Sequence, residues 1–233
     1  MSIYAIVLAG GSGRRMGGEE NKIFLPIRGI PAIVRAIAPF SALCQGVVVV
    51  AQAGEITLMH ETIRRFGLSG IVTGVAAGGA DRQESVANGL AALPVDAKMV
   101  LVHDGARALV TEQVIRNVIE SVQAHGTGIA AVSVTDTIKR ADAEGRVQET
   151  VDRASLFAIQ TPQGFWVSEL LQAHEKANEE GYRATDDAAL LEYAGLSVRL
   201  CEGDRENIKL TTPLDKILAE MILQNRMERE AQG

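Results

Sequence analysis

The stretch "IYAIVLAGGSGRRMGGEENKIFLPIRGIP", residues 3 to 31, sets bare backbone beside positive charge. Ala9, Gly10, Gly11 and Gly13 follow an apolar run, and Arg14, Arg15 and Lys22 come next. Glycine lets backbone N–H groups approach an anion with no side chain in the way, so the chemistry on offer is phosphate binding. The loop lies just past a strand's carboxyl end, where open α/β sheets bind ligands. It is neither common phosphate loop. G-x-G-x-x-G fits Gly11 and Gly13 but meets Met16 at its third glycine. The interval of G-x-x-x-x-G-K-[ST] fits Gly13 and Gly18 but meets Glu19 where the lysine belongs. A phosphate loop of a third kind remains, its charges at Arg14, Arg15 and Lys22. The plain alternative is a glycine-rich turn with solvated arginines.

Further polar clusters fall where strands should end. "AAGGADRQES" offers Asp81, Arg82 and Ser85; "VHDGAR" offers Asp104 and Arg107. "TDT", ending at Thr137, "TVDR", ending at Arg153, "TDDAALLEY", opening at Thr185, and "EGDRENIKLTTPLD", carrying Lys209, follow. Singly each has a dull explanation. Asp81 and the Thr185–Asp186 pair suit helix caps. His103 suits a structural role at a strand end, and Lys209 could snorkel to a surface. Jointly they recur at one edge of one sheet, which a set of unrelated structural roles does not require.

The elements that must carry them are legible. Short apolar runs ("AIVLA", "GVVVVAQ", "GIVTGV", "KMVLVHD", "GIAAVSV") alternate with segments of helical period. Runs apolar on both faces suit buried parallel strands, and the alternation predicts a doubly wound, three-layer, mostly parallel α/β sheet. Asp81 with Glu84 reads as a capping box, Thr111 as a cap, and Thr212–Pro213 as the start of the last helix. The tail "RMEREAQG" is expected to fray. One segment breaks the rhythm: residues 135–165 read as extended pieces around "DAEG" where a helix was due. A charged hairpin is marginal alone. A protruding β-arm over 135–160, packed on a second subunit, is the expectation.

At 233 residues the chain fits one α/β domain spanning 1–233. A formal net charge of -6 disfavours a general nucleic-acid binder. Two cysteines, Cys44 and Cys201, point to no disulfide framework or metal cluster and suit a reducing cytoplasm. Neither a basic leader nor a run of about 20 apolar residues is present, so no export signal or membrane span is expected.

The opening loop resembles the signature of nucleotidyltransferases that activate sugars and polyols. "VHDGAR", "DTIKRA", "TVDR", "QTPQGF", "TDDAALLE" and "EGDRENIKLTTPLD", in that order through residue 223, are similar to the 2-C-methyl-D-erythritol 4-phosphate cytidylyltransferase family. Two departures stand out: Gly10 and Ala108 stand where that family usually has alanine and proline. The resemblance implies a Rossmann-like nucleotidyltransferase fold acting as a homodimer. It implies CMP transfer from CTP to the polyol phosphate, with pyrophosphate leaving and Mg²⁺ bridging the phosphates. Arg15, Lys22, Arg153 and Lys209 would be catalytic. Ala9, Gly10, Gly11, Gly13, Gly79, Asp81 and Ser85 would bind the nucleotide. Asp104, Arg107, Thr137 and Thr185 would bind the acceptor. Because the attacking phosphate oxygen is already an anion, charge neutralisation and alignment are needed rather than a general base. A ribitol 5-phosphate cytidylyltransferase, or a non-catalytic nucleotide sensor on the same fold, is the alternative. Met16 disfavours a dehydrogenase.

Overall fold

The computed structural model describes residues 1–10 and 21–232. In chain order the elements are β1 (Ile3–Leu8), β2 (Pro26–Ile27), β3 (Ile30–Pro31), α1 (Ala32–Ile37), β4 (Gly46–Ala51), α2 (Ile56–Arg65), β5 (Val72–Ala77), α3 (Arg82–Ala91), β6 (Met99–Asp104), α4 (Glu112–His125), β7 (Thr127–Ser133), β8 (Ile138–Ala141), β9 (Val147–Val151), β10 (Phe157–Trp166), α5 (Val167–Glu179), α6 (Asp187–Tyr193), β11 (Leu200–Glu202) and α7 (Pro213–Gln232).

Among the described residues seven strands form one sheet in the order β11-β7-β10-β6-β1-β4-β5. Neighbours are parallel except at β10, which runs antiparallel to both β6 and β7. Successive side chains of a strand face opposite ways, and both ways are buried here. Ala5 and Val7 of β1 join α1, α2 and α4 in one core, through Ile33, Met59 and Ile115. Ile6 joins α3, α5 and α6 in the other, through Val86, Leu170 and Leu191. The doubly wound, three-layer α/β architecture read from the alternation is the one the chain forms. A third cluster joins α7 to the β2–α1 region, through Ala219, Leu210, Ile27 and Ala32.

The caps anticipated at α3 and α4 are present. The Asp81 carboxylate accepts from the N–H of Glu84 at 2.8 Å, and Thr111 Oγ1 accepts from the N–H of Val114 at 3.4 Å. The return bond of the capping box lands one residue early: the Glu84 carboxylate accepts from Ala80 N–H rather than from Asp81. At α7 the capping group is Asp215, whose carboxylate reaches back to the N–H groups of Thr211 and Thr212, both at 2.7 Å. Two other expectations need correction. The tail is helical through Gln232 rather than frayed. The arm is also shorter than 135–160. Its hairpin is β8 and β9, turning through Gly145 at φ 81°, while residues 157–160 already belong to β10 in the main sheet. β10 escapes a reading by apolar pattern because "QTPQG" lies in its middle. Pro162 has no N–H to donate, and the pairing with β7 shifts register between Ile159 and Gln163.

Candidate active site at the switch point of the sheet

From β1 the chain winds outward to β4 and β5, then returns to place β6 on β1's other side. The crevice outside the carboxyl ends of β1 and β6 is therefore the topological switch point, the usual ligand position in such sheets. Leu8 and Asp104, the last residues of the two strands, are register partners. A cleft of about 350 Å³ opens there, lined by Gly10, Lys22, Gly79, Asp81, Arg82, Ser85, Asp104 and Lys209 among others.

Asp104 is the centre of charge. Lys209 Nζ lies 2.6 Å from Asp104 Oδ2, and Arg82 Nε lies 3.9 Å from Oδ1. Burial pushes the Asp104 carboxyl up, but Lys209 and then Arg82 outweigh it and hold the group below the usual carboxylate range. The segments bearing Asp104 and Lys209 are tied together by backbone. Leu210 N–H donates to Ala106 C=O at 2.8 Å, and Arg107 Nη1 donates to Asn207 C=O at 2.7 Å.

His103 sits behind Asp104, fully buried. Its Nε2 faces the Arg107 carbonyl at 3.2 Å, and its Nδ1 faces Thr161 Oγ1 at 3.0 Å. A carbonyl only accepts, so Nε2 carries the proton and Nδ1 accepts from the threonine hydroxyl. Thr161 Oγ1 in turn accepts from the N–H of Asp104 at 3.0 Å. Burial lowers the His103 pKa to about 4, with Asp104 opposing it. The imidazole is thus a neutral strut that fixes Asp104 and Arg107, the structural role its position in the sequence suggested.

At the α3 end of the cleft, Gly79 N–H donates to Ser85 Oγ at 3.0 Å, and Ser85 Oγ–H donates to Asp81 C=O at 2.8 Å. These bonds fold residues 79–85 into a tight lip. A Cβ at Gly79 would fall 2.3 Å from Glu84 Cγ. The Asp81 carboxylate caps α3 and meets Arg183 Nε at 3.3 Å. Ala9 is fully buried, its N–H held by Val50 C=O at 2.7 Å. A Cβ at Gly10 would meet nothing within 4 Å, so the departure from alanine there is sterically mild. Lys22 opens a short 3₁₀ turn whose N-cap, Asn21, accepts from Ile23 N–H and donates to Ala9 C=O at 3.0 Å. Gly11, Gly13, Arg14 and Arg15 lie outside the described residues.

The remaining expected residues sit apart from the cleft lining. Arg107 directs two guanidinium nitrogens at the carbonyls of Asn207 and Ile159, 2.7 and 3.3 Å away. Burial lowers its pKa against the pull of Asp104. Thr185 is exposed just before α6, where Asp186 is the N-cap through Ala189 N–H at 3.0 Å. Thr137 and Arg153 are exposed at the base of the arm, where Arg153 Nη1 donates to Thr135 C=O. Ala108 is buried at 4% exposure against the α7 cluster, which anchors the loop without a proline.

The sequence reading left Arg82, Asn21 and Asp187 unassigned. Arg82 lines the cleft and pairs at 2.7 Å with Asp187, a residue 105 positions away and fully buried. Among the described residues no cluster of three or more His, Cys, Asp or Glu side chains is spaced to hold a metal. Of the two carboxylates in the cleft lining, Asp81 caps α3 and Asp104 is paired with Lys209, so a divalent ion held there would draw most of its ligands from a bound phosphate. Burial pushes the thiols of Cys44 and Cys201 up to about 12 and about 11, which suits packing rather than nucleophilic chemistry. Among the described residues no helix is long and apolar enough to cross a membrane.

The chain matches known proteins along nearly its whole length. Residues 3–225 match the model of the family described as 2-C-methyl-D-erythritol 4-phosphate cytidylyltransferase. A protein of that name from Geobacillus thermodenitrificans is 43% identical over 229 residues, covering 97% of this chain and 99% of that one. One from Synechococcus sp. strain CC9902 is 41% identical, covering 96% and 99%. Among solved structures, a 4-diphosphocytidyl-2C-methyl-D-erythritol synthase from Anaerococcus prevotii superposes with a TM-score of 0.84 at 27% identity, covering 96% and 98%. A cytidylyltransferase of the same name as the sequence relatives, from Thermus thermophilus, gives 0.78 at 30% identity, covering 96% and 100%.

Proposed function

The chain belongs to the 2-C-methyl-D-erythritol 4-phosphate cytidylyltransferase family, and from that premise we propose how its residues divide the reaction. The enzyme transfers CMP from CTP to 2-C-methyl-D-erythritol 4-phosphate and releases pyrophosphate, forming a CDP-polyol for isoprenoid precursor synthesis. A phosphate oxygen of the acceptor forms the new bond to the α-phosphorus of CTP. The bond from that phosphorus to the bridging oxygen of the departing pyrophosphate breaks. No proton need be removed from the nucleophile, and the buried neutral His103 has no part in moving one.

The observation that carries this division is the cationic rim around Asp104: Lys22, Arg82 and Lys209 line one cleft at the switch point. Two polyanions must meet there, so fixed positive charge is what the chemistry needs. Lys22, with Arg15, holds the triphosphate and stabilises the charge that develops on it. The lip at Gly79, Asp81 and Ser85, with the backbone at Ala9, Gly10, Gly11 and Gly13, binds the rest of the nucleotide. Lys209 holds the acceptor phosphate, with Asp104, Arg107 and Thr185 on the same side. Asp104 and the phosphates of CTP would hold Mg²⁺, which would supply neutralisation of the phosphate charge.

Thr137 and Arg153 complete the acceptor side from the arm of a second subunit, so the working unit is a homodimer. Support comes from the exposed two-stranded hairpin, which has little to pack on within its own chain. The enzyme works in the cytoplasm, in keeping with two unpaired cysteines. The test of the reaction is pyrophosphate release from CTP and Mg²⁺ with a panel of polyol phosphates. Methylerythritol phosphate should be turned over well above ribitol 5-phosphate. An equal or reversed preference would favour the ribitol enzyme, and no release with any acceptor would favour a nucleotide sensor.

A further inference from the structure

Four charged groups of alternating sign stand in series, Asp187, Arg82, Asp104 and Lys209, the last three lining the cleft. Arg82 Nη2 lies 2.7 Å from Asp187 Oδ2, its Nε lies 3.9 Å from Asp104 Oδ1, and Lys209 Nζ lies 2.6 Å from Asp104 Oδ2. Asp187 is fully buried, and its Oδ1 has no hydrogen-bond partner among the described residues. It is nonetheless held firmly. The N–H groups of Asp187 and Ala188 both donate to Gln163 Oε1, at 3.2 and 3.1 Å, and Gln163 Nε2 donates to Asp186 Oδ2 at 2.8 Å. Gln163 lies on β10, whose partner β6 ends in Asp104. The chain of charges therefore joins α6, α3, β6 and the segment before α7, and is braced at one end by the sheet.

A buried ion pair is a poor source of net stability, because desolvation offsets most of its attraction. Geometry suggests a different use. Arg82 has two anions within reach, and Asp187 takes its closer contact. That leaves Asp104 to Lys209. Without the charge on Asp187, Arg82 would turn onto Asp104 and compete with Lys209 for it. We propose that Asp187 and Arg82 are positioning residues for the reaction: Asp187 restrains Arg82 so that Asp104 sets Lys209 for the acceptor phosphate. The inference rests on the acceptor role given to Lys209 above.

The test is steady-state kinetics of Asp187→Asn, Arg82→Gln and the double variant, with both substrates varied and thermal unfolding recorded. Wild-type turnover with methylerythritol phosphate tests the reaction itself, and the ratios between variants test the pair. A misplaced contact of this kind costs up to about 10²-fold. Asp187→Asn should therefore lower kcat/KM for the acceptor by roughly 10–100-fold, while KM for CTP moves less than about threefold. The double variant should be no slower than Arg82→Gln alone, since Asp187 acts only through Arg82. If Asp187→Asn does not fold, the comparison of the double variant with Arg82→Gln carries the test, because the double variant strands no buried charge. Multiplying kinetic defects would overturn the proposal. So would an Asp187→Asn enzyme with unchanged acceptor kinetics, or losses that fall equally on both substrates and follow the melting temperature.

Discussion

Lys209 Nζ and Asp104 Oδ2 stand 2.6 Å apart although 105 residues separate them in the chain. The contact joins the end of a central strand to the segment before the last helix, and it keeps a partly buried carboxylate of the cleft lining an anion at working pH. Its folded-state pKa is depressed, so the stability it contributes is present above the unfolded carboxylate value. That stability is lost as pH falls through the folded value. In Lys209→Met burial prevails and the carboxyl rises. The acid-unfolding midpoint should then move to higher pH than in the wild type, as followed by circular dichroism. A midpoint unmoved or lowered would mean that Arg82 alone sets the charge of Asp104.

His103 predicts a second pH dependence of its own. A group kept neutral with a pKa of about 4 against an unfolded value of 6.5 favours the native state fully above pH 6.5. As pH falls from 6.5 toward 4 the unfolded chain gains a proton that the native chain does not, and roughly 3 kcal/mol of stability is lost. Denaturant unfolding across this window should show that slope, and His103→Gln should flatten it. Nitrogen-15 spectra should show the Nε2–H tautomer throughout pH 5 to 8; a titration within that range would contradict the hydrogen-bond assignment.

Gly105, next to Asp104, marks a close approach of the two central strand ends. A Cβ there would lie 2.9 Å from Leu8 C=O and 2.8 Å from Ile33 Cδ1. Gly105→Ala should cost roughly 1–3 kcal/mol through overpacking. The melting temperature should fall by about 2–4 °C per kcal/mol. An unchanged melting temperature would mean that the strand ends separate freely.

Lys22→Ala and Arg15→Ala should each lower kcat by roughly 10²–10³-fold with the fold intact, since each cation meets charge that develops in the transition state. Normal kcat with only a raised KM for CTP would mean uniform binding of the nucleotide instead.

How far the sequence reveals this molecule differs from part to part. The parallel strands are plain because Val47–Val50 and Val100–Val102 are apolar on both faces. Asp81 and Thr111 are plain as caps because their partners lie three residues on. β10 is hidden because its buried centre is polar: Gln160, Thr161 and Gln163 satisfy loops and helix ends that lie far away in the chain. Arg82 stands out in its polar cluster, but its partners are hidden for a related reason. An arginine in the first turn of a helix reads as solvated until the fold delivers Asp187 and Asp104 to either end of its guanidinium. Lys209 and Asp104 could each be suspected singly, but their pairing is a product of strand order, which local pattern does not encode. The tail misleads in the other direction: polar residues suggest fraying, yet Arg226 ties α7 to Glu206 at 2.7 Å and to Leu109 C=O at 3.0 Å.

The central claim is that one chain carries only part of its active site and that Arg153 serves the neighbour's cleft. Lys22→Ala and Arg153→Ala homodimers should both be nearly inactive. A heterodimer of the two places both defects in one site and leaves the other whole. After refolding a one-to-one mixture, about half the dimers are mixed by chance, each with one good site, so activity should return to roughly a quarter of the wild-type value. The same mixture without subunit exchange should stay inactive. If the exchanged mixture remains as inactive as its parents, Arg153 acts within its own chain and the shared site is wrong.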